Sequence, residues 1–300
     1  MQCALIDMGS NSIRLTVYDM DASDFKILFK EKRMAGLAGY VEHGRLTPDG
    51  IDCACQCLRE FQNTLSVLQI EHLAVFATAS LRNISNTAQA VTQIARATGI
   101  TVSVLTGEEE AACGFCGATC DVAAADGLFV DVGGASTELV AFANRQIEQA
   151  DSVPVGSLKL YRDCVKKILP GKSSCRRLAE TIEAAFDRPA LQTIPKRPHM
   201  VCVGGTARAA LRLCRKLCGL PEDCRTFTRA QLDALAHELC GNSRDSADLI
   251  LRYAPERIHT LIPGVMVLQY LTGRFDTAEI TVSHYGVREG YLRRTIQPGL

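Results

Sequence analysis

At 300 residues the chain is long enough for one large or two ordinary domains. Hydrophobic residues make up 47% of it and charged residues 22%, a globular balance that can bury a sizeable core. Lys+Arg and Asp+Glu number 33 each, and a net charge of +0 excludes a global basic field for nucleic acid while leaving room for a local basic groove.

No stretch reads as a transmembrane span. The N-terminus runs straight into Cys3-Ala-Leu-Ile-Asp7, without the basic region and long apolar region of a secretory signal, so a cytoplasmic protein is expected. In that setting the 14 cysteines do not imply a disulfide framework. Their clusters are Cys53/Cys55/Cys57, Cys113/Cys116/Cys120 and Cys214/Cys218/Cys224, and none has the doubled Cys-x-x-Cys spacing of a zinc ribbon. Small buried core residues are the favoured account, over a metal or redox site.

Residues 3–18 predict a strand, a glycine turn from Asp7 through Gly9, Ser10, Asn11 and Ser12, and a second strand with Ile13, Leu15 and Val17 alternating. Residues 24–33 predict a third strand, and glycines 36, 39 and 44 a loop. Thr47 as N-cap and Pro48 at the first helical position start a helix to about Leu68. His72 to Ala79 is a buried strand that runs out into Thr78-Ala-Ser80-Leu-Arg82, with Arg82 just past its end. There a guanidinium can clamp a phosphate or form an ordinary surface salt bridge. A helix follows from about Asn86, then a short strand from Thr101 to Leu105. Glu108, Glu109 and Glu110 open the next helix. Acids suit a first helical turn, but three exceed what capping requires, and one facing a cleft could activate a water.

Leu128 to Val130 leads into Asp131, Val132, Gly133, Gly134, Ala135, Ser136, Thr137 and Glu138, again strand, tight turn, strand. Glycines let the backbone turn and approach a ligand, and successive N–H groups with the Ser136 and Thr137 hydroxyls can point at a phosphate. Asp131 and Glu138 flank the turn without being needed to make it, which suits a divalent metal or proton transfer; a plain Gly-Gly hairpin with solvated acids is the other reading. The stretch echoes the Asp7 turn 124 residues downstream, so two similar domains, each presenting a phosphate-binding hairpin to a shared cleft, are expected. Gly156 precedes a helix through Val165. Lys166, Lys167, Lys172, Arg176 and Arg177 form a basic run, either a solvated helix end or a track for a polyanion. Lys196-Arg-Pro198 reads as a linker. His199 to Val203 is a strand entering Gly204, Gly205 and Thr206 at a helix N-terminus, a third candidate phosphate site. Helices follow around 229–241, 244–253 and from Pro263-Gly264, then a strand from Glu279 to Ser283. Gly286-Val-Arg-Glu-Gly290 leads a final helix, Tyr291 to Ile296.

Three strand–turn phosphate loops, two in repeated hairpins, resemble the actin-like phosphotransferase superfamily of acetate kinase, sugar kinases and actin. The finer resemblance is to the exopolyphosphatase and guanosine pentaphosphate phosphatase family. It rests on Ile6 to Ser12, Ala77 to Arg82, Gly107 to Ala111, Val130 to Glu138, Val203 to Thr206 and Gly286 to Gly290, in order along nearly the whole chain. The resemblance implies an α/β protein of two actin-like (ribonuclease H-like) domains with an active site in the cleft. These are residues 1–120 plus about 288–300, with the final helix packed back on that domain, and 121–287. It further implies hydrolysis of a terminal phosphoanhydride supported by Mg²⁺ or another divalent cation. Gly9 to Ser12, Gly133 to Thr137 and Gly204 to Thr206 would hold phosphates, with Arg82 as a cationic clamp. Glu110 would activate the water, Glu138 would help position it or the metal, and Asp131 and Asp7 would hold the hydrated ion.

Three departures qualify the resemblance. The family turn usually has a third glycine at Ala135, and Ser283-His284-Tyr285 stands where it usually has Ser-Asp. The sequence stops at Leu300 where longer relatives continue into a helical C-terminal domain, so the resemblance leads one to expect the short two-domain form. The leading substrate is inorganic polyphosphate, and the nearest alternative is guanosine pentaphosphate, which uses the same loops. An actin-like kinase or ATPase and a non-catalytic phosphate or alarmone sensor are the alternatives of another class. No nucleic-acid or membrane partner is expected, and the resemblance favours a homodimer.

Overall fold

A computed structural model of the chain describes residues 1–241 and 243–296. They form two compact units, Met1–Glu110 together with the chain from Tyr291, and Ala111–Gly290.

In the first unit, β1 (Gln2–Met8), β2 (Ile13–Met20) and β3 (Phe25–Arg33) form an antiparallel meander. After the small hairpin of β4 (Val41–Glu42) and β5 (Arg45–Leu46), helix α1 (Pro48–Val67) carries the chain to β6 (His72–Ala77). A short turn of helix α2 (Ala79–Arg82), helix α3 (Thr87–Thr98) and β7 (Ser103–Val104) follow. The sheet order is β3-β2-β1-β6-β7, with β6 parallel to β1 and to β7.

Thr47 caps α1 by accepting from the Gly50 amide at 3.3 Å, and Pro48 sits where no amide donor is needed. The helix buries Ile51, Ala54, Leu58, Phe61 and Leu65, which recur on one face, in a core with Ala4, Ile6, Met8, Leu15 and Val17 of the sheet. Phe61 is fully buried, so truncating it to alanine is expected to cost about 3–5 kcal/mol. Gly99, in the left-handed region at φ 74°, ends α3. The ring of Tyr291 stacks on Phe76 at 4.8 Å, tying the returning chain to the first unit. That final segment is α12 (Val287–Tyr291) and then one π-type turn, Leu292–Ile296.

Helix α4 (Gly107–Ala118) starts in the first unit and continues into the second, so the division falls ten residues before the boundary expected at 120. The reason is packing: from Ala111 onward its buried side chains, Ala111, Phe115 and Ala118, cluster with Phe129, Val140 and Phe142. The second unit repeats the meander with β8 (Gly127–Val132), β9 (Thr137–Ala143) and β10 (Gln146–Val153). Helices α5 (Ser157–Cys164), α6 (Lys172–Phe186) and α7 (Pro189–Gln192) lead to β11 (His199–Val203) and α8 (Gly204–Cys218). Then come β12 (Thr226–Thr228), α9 (Arg229–Gly241), α10 (Ser243–Tyr253), α11 (Leu261–Arg274) and β13 (Glu279–Val282). The order β10-β9-β8-β11-β13-β12 places β11 parallel to β8, as β6 is to β1 in the first unit. The internal repeat expected from the two turns is therefore a repeat of topology.

Two readings need correction. Lys196-Arg-Pro198 is not a linker. It lies inside the second unit, where Arg197 forms an ion pair with Glu148 and the Pro198 carbonyl accepts from Ala278 at 2.8 Å. Arg82 does not follow a strand end directly but closes the helical turn α2. Its amide donates to the Thr78 carbonyl at 3.0 Å, and the Ser80 hydroxyl pins the turn to the Met8 carbonyl.

Candidate functional site

The two echoing turns share one construction. The Gly9 amide donates to the Ser12 carbonyl at 3.1 Å, and the Gly133 amide donates to the Ser136 carbonyl at 3.0 Å. The last ladder pairs are Met8 with Ile13 and Val132 with Thr137. In both turns a Cβ on the first glycine would lie 3.0 Å from that serine carbonyl oxygen. One pair further down, the repeats diverge. Asp7 faces Arg14 across the first hairpin, whereas Asp131 faces Glu138 across the second. Ala135 is not among the non-glycine residues at positive φ, so the turn does not require glycine there. Gly156, by contrast, is required: a Cβ would meet the backbone of Gly134 at 2.5 Å, where α5 docks on the turn.

In the first unit Arg82 and Glu110 meet. The Arg82 guanidinium donates to the Glu110 carboxylate at 2.6 Å and to the Leu105 carbonyl at 3.1 Å. The three consecutive glutamates divide their work. Glu109 and Thr106 form a reciprocal cap, with the Thr106 amide donating to the Glu109 carboxylate at 2.8 Å and the Glu109 amide to the Thr106 hydroxyl at 3.1 Å. Glu108 is exposed, and Glu110 is buried. Capping thus accounts for Glu109 and leaves Glu110 for another purpose. Asp7, Gly9, Ser10, Asn11 and Ser12 lie in the same unit, and Arg14 donates to the Ser12 hydroxyl at 3.2 Å.

In the second unit the start of α8 approaches Asp131. Gly204 adopts φ 83°, and a Cβ there would lie 2.3 Å from the Asp131 carboxylate, so only glycine fits. A Cβ on Gly205 would fall 1.5 Å from the guanidinium of Arg257, which therefore packs directly against the glycine. Helix α8 has no side-chain cap and no acid in its first turn. With Arg257 beside it, this terminus offers an anion both the helix dipole and a fixed cation. Sequence reasoning missed Arg14 and Arg257. The hairpin register points to Arg14, but Arg257 lies 52 residues from Gly205 and no local signal marks it.

Some hydroxyls expected to bind phosphate serve the fold instead. Thr137 is fully buried and donates to the Val155 carbonyl at 2.6 Å; Thr206, equally buried, donates to the Val132 carbonyl at 3.0 Å. Any phosphate contact at those positions belongs to backbone amides. Cys202 is no nucleophile, because burial, and then the charge of Asp131, push its thiol pKa up.

Among the described residues no group of three or more His, Cys, Asp and Glu side chains gathers to hold a metal. The Asp131–Glu138 pair still fits a magnesium ion, which takes one or two carboxylates and completes its shell with water and substrate phosphate. Glu138 is almost fully buried and its Oε1 accepts from the Ser152 hydroxyl at 2.9 Å, a contact that orients the carboxylate.

The departure at His284 is accommodated locally. Asp121, in the turn just past α4, accepts from the Ser283 hydroxyl at 2.5 Å and the His284 amide at 3.1 Å, and it is paired with Arg225. Behind this loop the Gly286 amide donates to the Glu289 carboxylate at 2.9 Å. A Cβ on Gly290 would lie 1.7 Å from the Cys113 carbonyl, so α12 and α4 touch backbone to backbone.

Residues 16–297 match the family model described as the Ppx/GppA phosphatase family. Among solved structures, the chain is similar to an exopolyphosphatase from Cytophaga hutchinsonii, with 22% identity, a TM-score of 0.86, and coverage of 100% of this chain and 99% of that one. It is likewise similar to the Aquifex aeolicus PPX-GPPA enzyme, with 23% identity, a TM-score of 0.79, and coverage of 98% and 99%. At such identities the likeness speaks for the fold, which is the two-domain actin-like type. No helix among the described residues is long and apolar enough to cross a membrane.

Proposed function

The chain belongs to the Ppx/GppA phosphatase family, and we propose that within it this protein releases the terminal phosphate of inorganic polyphosphate. The observation that carries the mechanism is the division of labour at the start of α4. Glu109 satisfies the helix terminus, while Glu110 is buried and held at 2.6 Å by Arg82. A carboxylate that the fold does not need for capping, in a fixed orientation, suits a general base that takes a proton from water as it attacks the terminal phosphorus.

Phosphoryl transfer asks for in-line positioning and charge neutralisation rather than covalent chemistry. In the second unit the amides of the Gly133–Ser136 turn and of the α8 terminus would supply donors for phosphate oxygens, and in the first unit those of the Gly9–Ser12 turn would do the same. Arg257 and Arg14 would add charge, and Arg82 holds Glu110 in place. Asp131 would hold a magnesium ion, with Glu138 positioning the ion or the water. The ion would neutralise phosphate charge.

The test is phosphate release from tripolyphosphate, long-chain polyphosphate, guanosine pentaphosphate and ATP by the purified protein with Mg²⁺. Release from polyphosphate that disappears in Glu110→Gln is the expected result. Release from guanosine pentaphosphate alone would replace polyphosphate as substrate while keeping the site. Turnover of ATP alone would favour the kinase or ATPase reading, and no release at all the sensor reading.

A further inference from the structure

We propose that Lys166, Lys167, Lys172, Arg176 and Arg177 form a second anion site that holds the distal phosphates of a polyphosphate chain whose reacting end lies at the Gly133–Ser136 turn. This rests on the reading of polyphosphate as substrate and adds to it a place for the rest of the polymer.

The basic residues lie in the segment joining α5 to α6 and in the first turns of α6. All five are exposed, and from Cys164 to Ala179 there is no acidic residue. The neighbouring acids are already engaged, Asp163 with Lys159 at 2.5 Å and Glu180 with Arg176 at 3.8 Å. The second pair is surface-exposed and yields readily to a polyanion.

What distinguishes this run from an ordinary solvated face is its attachment to the phosphate turn. The Ser157 amide and hydroxyl both donate to the Gly133 carbonyl at 2.9 Å, and the Lys159 amide donates to the Gly134 carbonyl at 2.9 Å. Helix α5 therefore begins on the turn. Eight residues at about 1.5 Å each put its far end roughly 12 Å away, and Lys166 follows two residues later. A second line of contact reaches the same place from the α8 terminus. Two residues beyond Arg257, the ring of His259 packs on Tyr161 of α5 at 4.8 Å. The Tyr161 hydroxyl then donates to the Lys167 carbonyl at 3.0 Å, fixing the backbone of the basic loop. Polyphosphate carries regularly spaced negative charge along a flexible chain, and a row of cations at a set distance from the loop that grips its end is the complement of that chemistry.

The test compares the wild-type protein with the triple variant Lys166→Ala/Lys167→Ala/Lys172→Ala, measuring binding of long-chain polyphosphate and of tripolyphosphate by calorimetry at several salt concentrations. Each exposed charge contact is worth at most about fivefold, so Kd for the long chain is expected to rise about tenfold. Its salt dependence should become shallower, as counterion release requires. Binding and turnover of tripolyphosphate, too short to span the helix, should stay unchanged, and an unchanged melting temperature shows that the fold is intact. Equal loss for both lengths, or none for the long chain, overturns the proposal. Because binding is read directly, failure of the wild-type protein to hydrolyse polyphosphate would refute the substrate assignment separately.

Discussion

Replacing Glu110 by glutamine separates the chemistry of this carboxylate from its contribution to the fold. The substitution keeps the shape and one acceptor oxygen but removes the charge. Arg82 keeps its bond to the Leu105 carbonyl at 3.1 Å. Side-chain exposures of 18% and 10% place the Arg82–Glu110 pair between a surface bridge and a fully buried one. Its loss should cost about 1–3 kcal/mol of stability, a fall of several degrees in Tm. A general base is worth about 10²–10⁴ in turnover, which is roughly 3–5 kcal/mol on the barrier. The second effect exceeds what partial unfolding could produce at a temperature where the variant remains folded. Phosphate release at 25 °C, with a thermal melt on the same sample, reads both. Glu109→Gln is the control: weakening the reciprocal cap should cost about 0.5–1 kcal/mol and leave turnover little changed. Near-normal turnover in folded Glu110→Gln, or an equal loss in Glu109→Gln, would refute the assignment.

Further expectations follow from the same contacts. Arg257→Ala should raise KM for a phosphoanhydride substrate by about 10–100-fold, the worth of a charge-assisted phosphate contact; steady-state kinetics would show it, and an unchanged KM would remove Arg257 from the site. Gly290→Ala puts a methyl 1.7 Å from the Cys113 carbonyl and should cost about 2 kcal/mol or more, whereas Gly171→Ala meets nothing within 4 Å and should be near neutral; denaturant melts of the two variants decide it. Cys240 donates to Cys175, which lowers the Cys175 thiol to about 7 and raises Cys240. Alkylation of Cys175, followed by peptide mass spectrometry, should therefore accelerate as pH rises through about 7, and Cys240→Ala should shift that midpoint upward.

Much of the architecture was legible in the amino-acid order because local chemistry specified it. The Thr47-Pro48 start of α1, the glycine turns after Met8 and Val132, and the strand entering Gly204 depend on neighbours a few residues apart. What was not legible depends on distant partners. The role of Glu109 could not be told from that of Glu110 until the Thr106 cap was seen, since all three acids suit a first helical turn equally. Thr137 and Thr206 looked like phosphate donors, and only the carbonyls of Val155 and Val132 show that their hydroxyls are already used. Arg257 reaches Gly205 through tertiary packing alone. Lys196-Arg-Pro198 resembled a linker by composition, yet the Glu148 ion pair and the Pro198 carbonyl embed it in the second unit.

The construction of the two glycine turns bears on how such a protein changes over time. In each turn the first amide and the last carbonyl close the loop, and the strand ladder on either side sets its width. The two residues between, Ser10-Asn11 in one and Gly134-Ala135 in the other, lie outside that closure and differ completely between the copies. The closure of the four-residue loop is thus common to both copies while the side chains at its tip are not, a shared hairpin carrying a variable tip. If these loops bind phosphate as proposed, a change of tip side chain that leaves the Gly134 backbone contacts with α5 in place alters the ligand's surroundings and keeps the frame, so new specificities are accessible by single steps from a protein that stays folded.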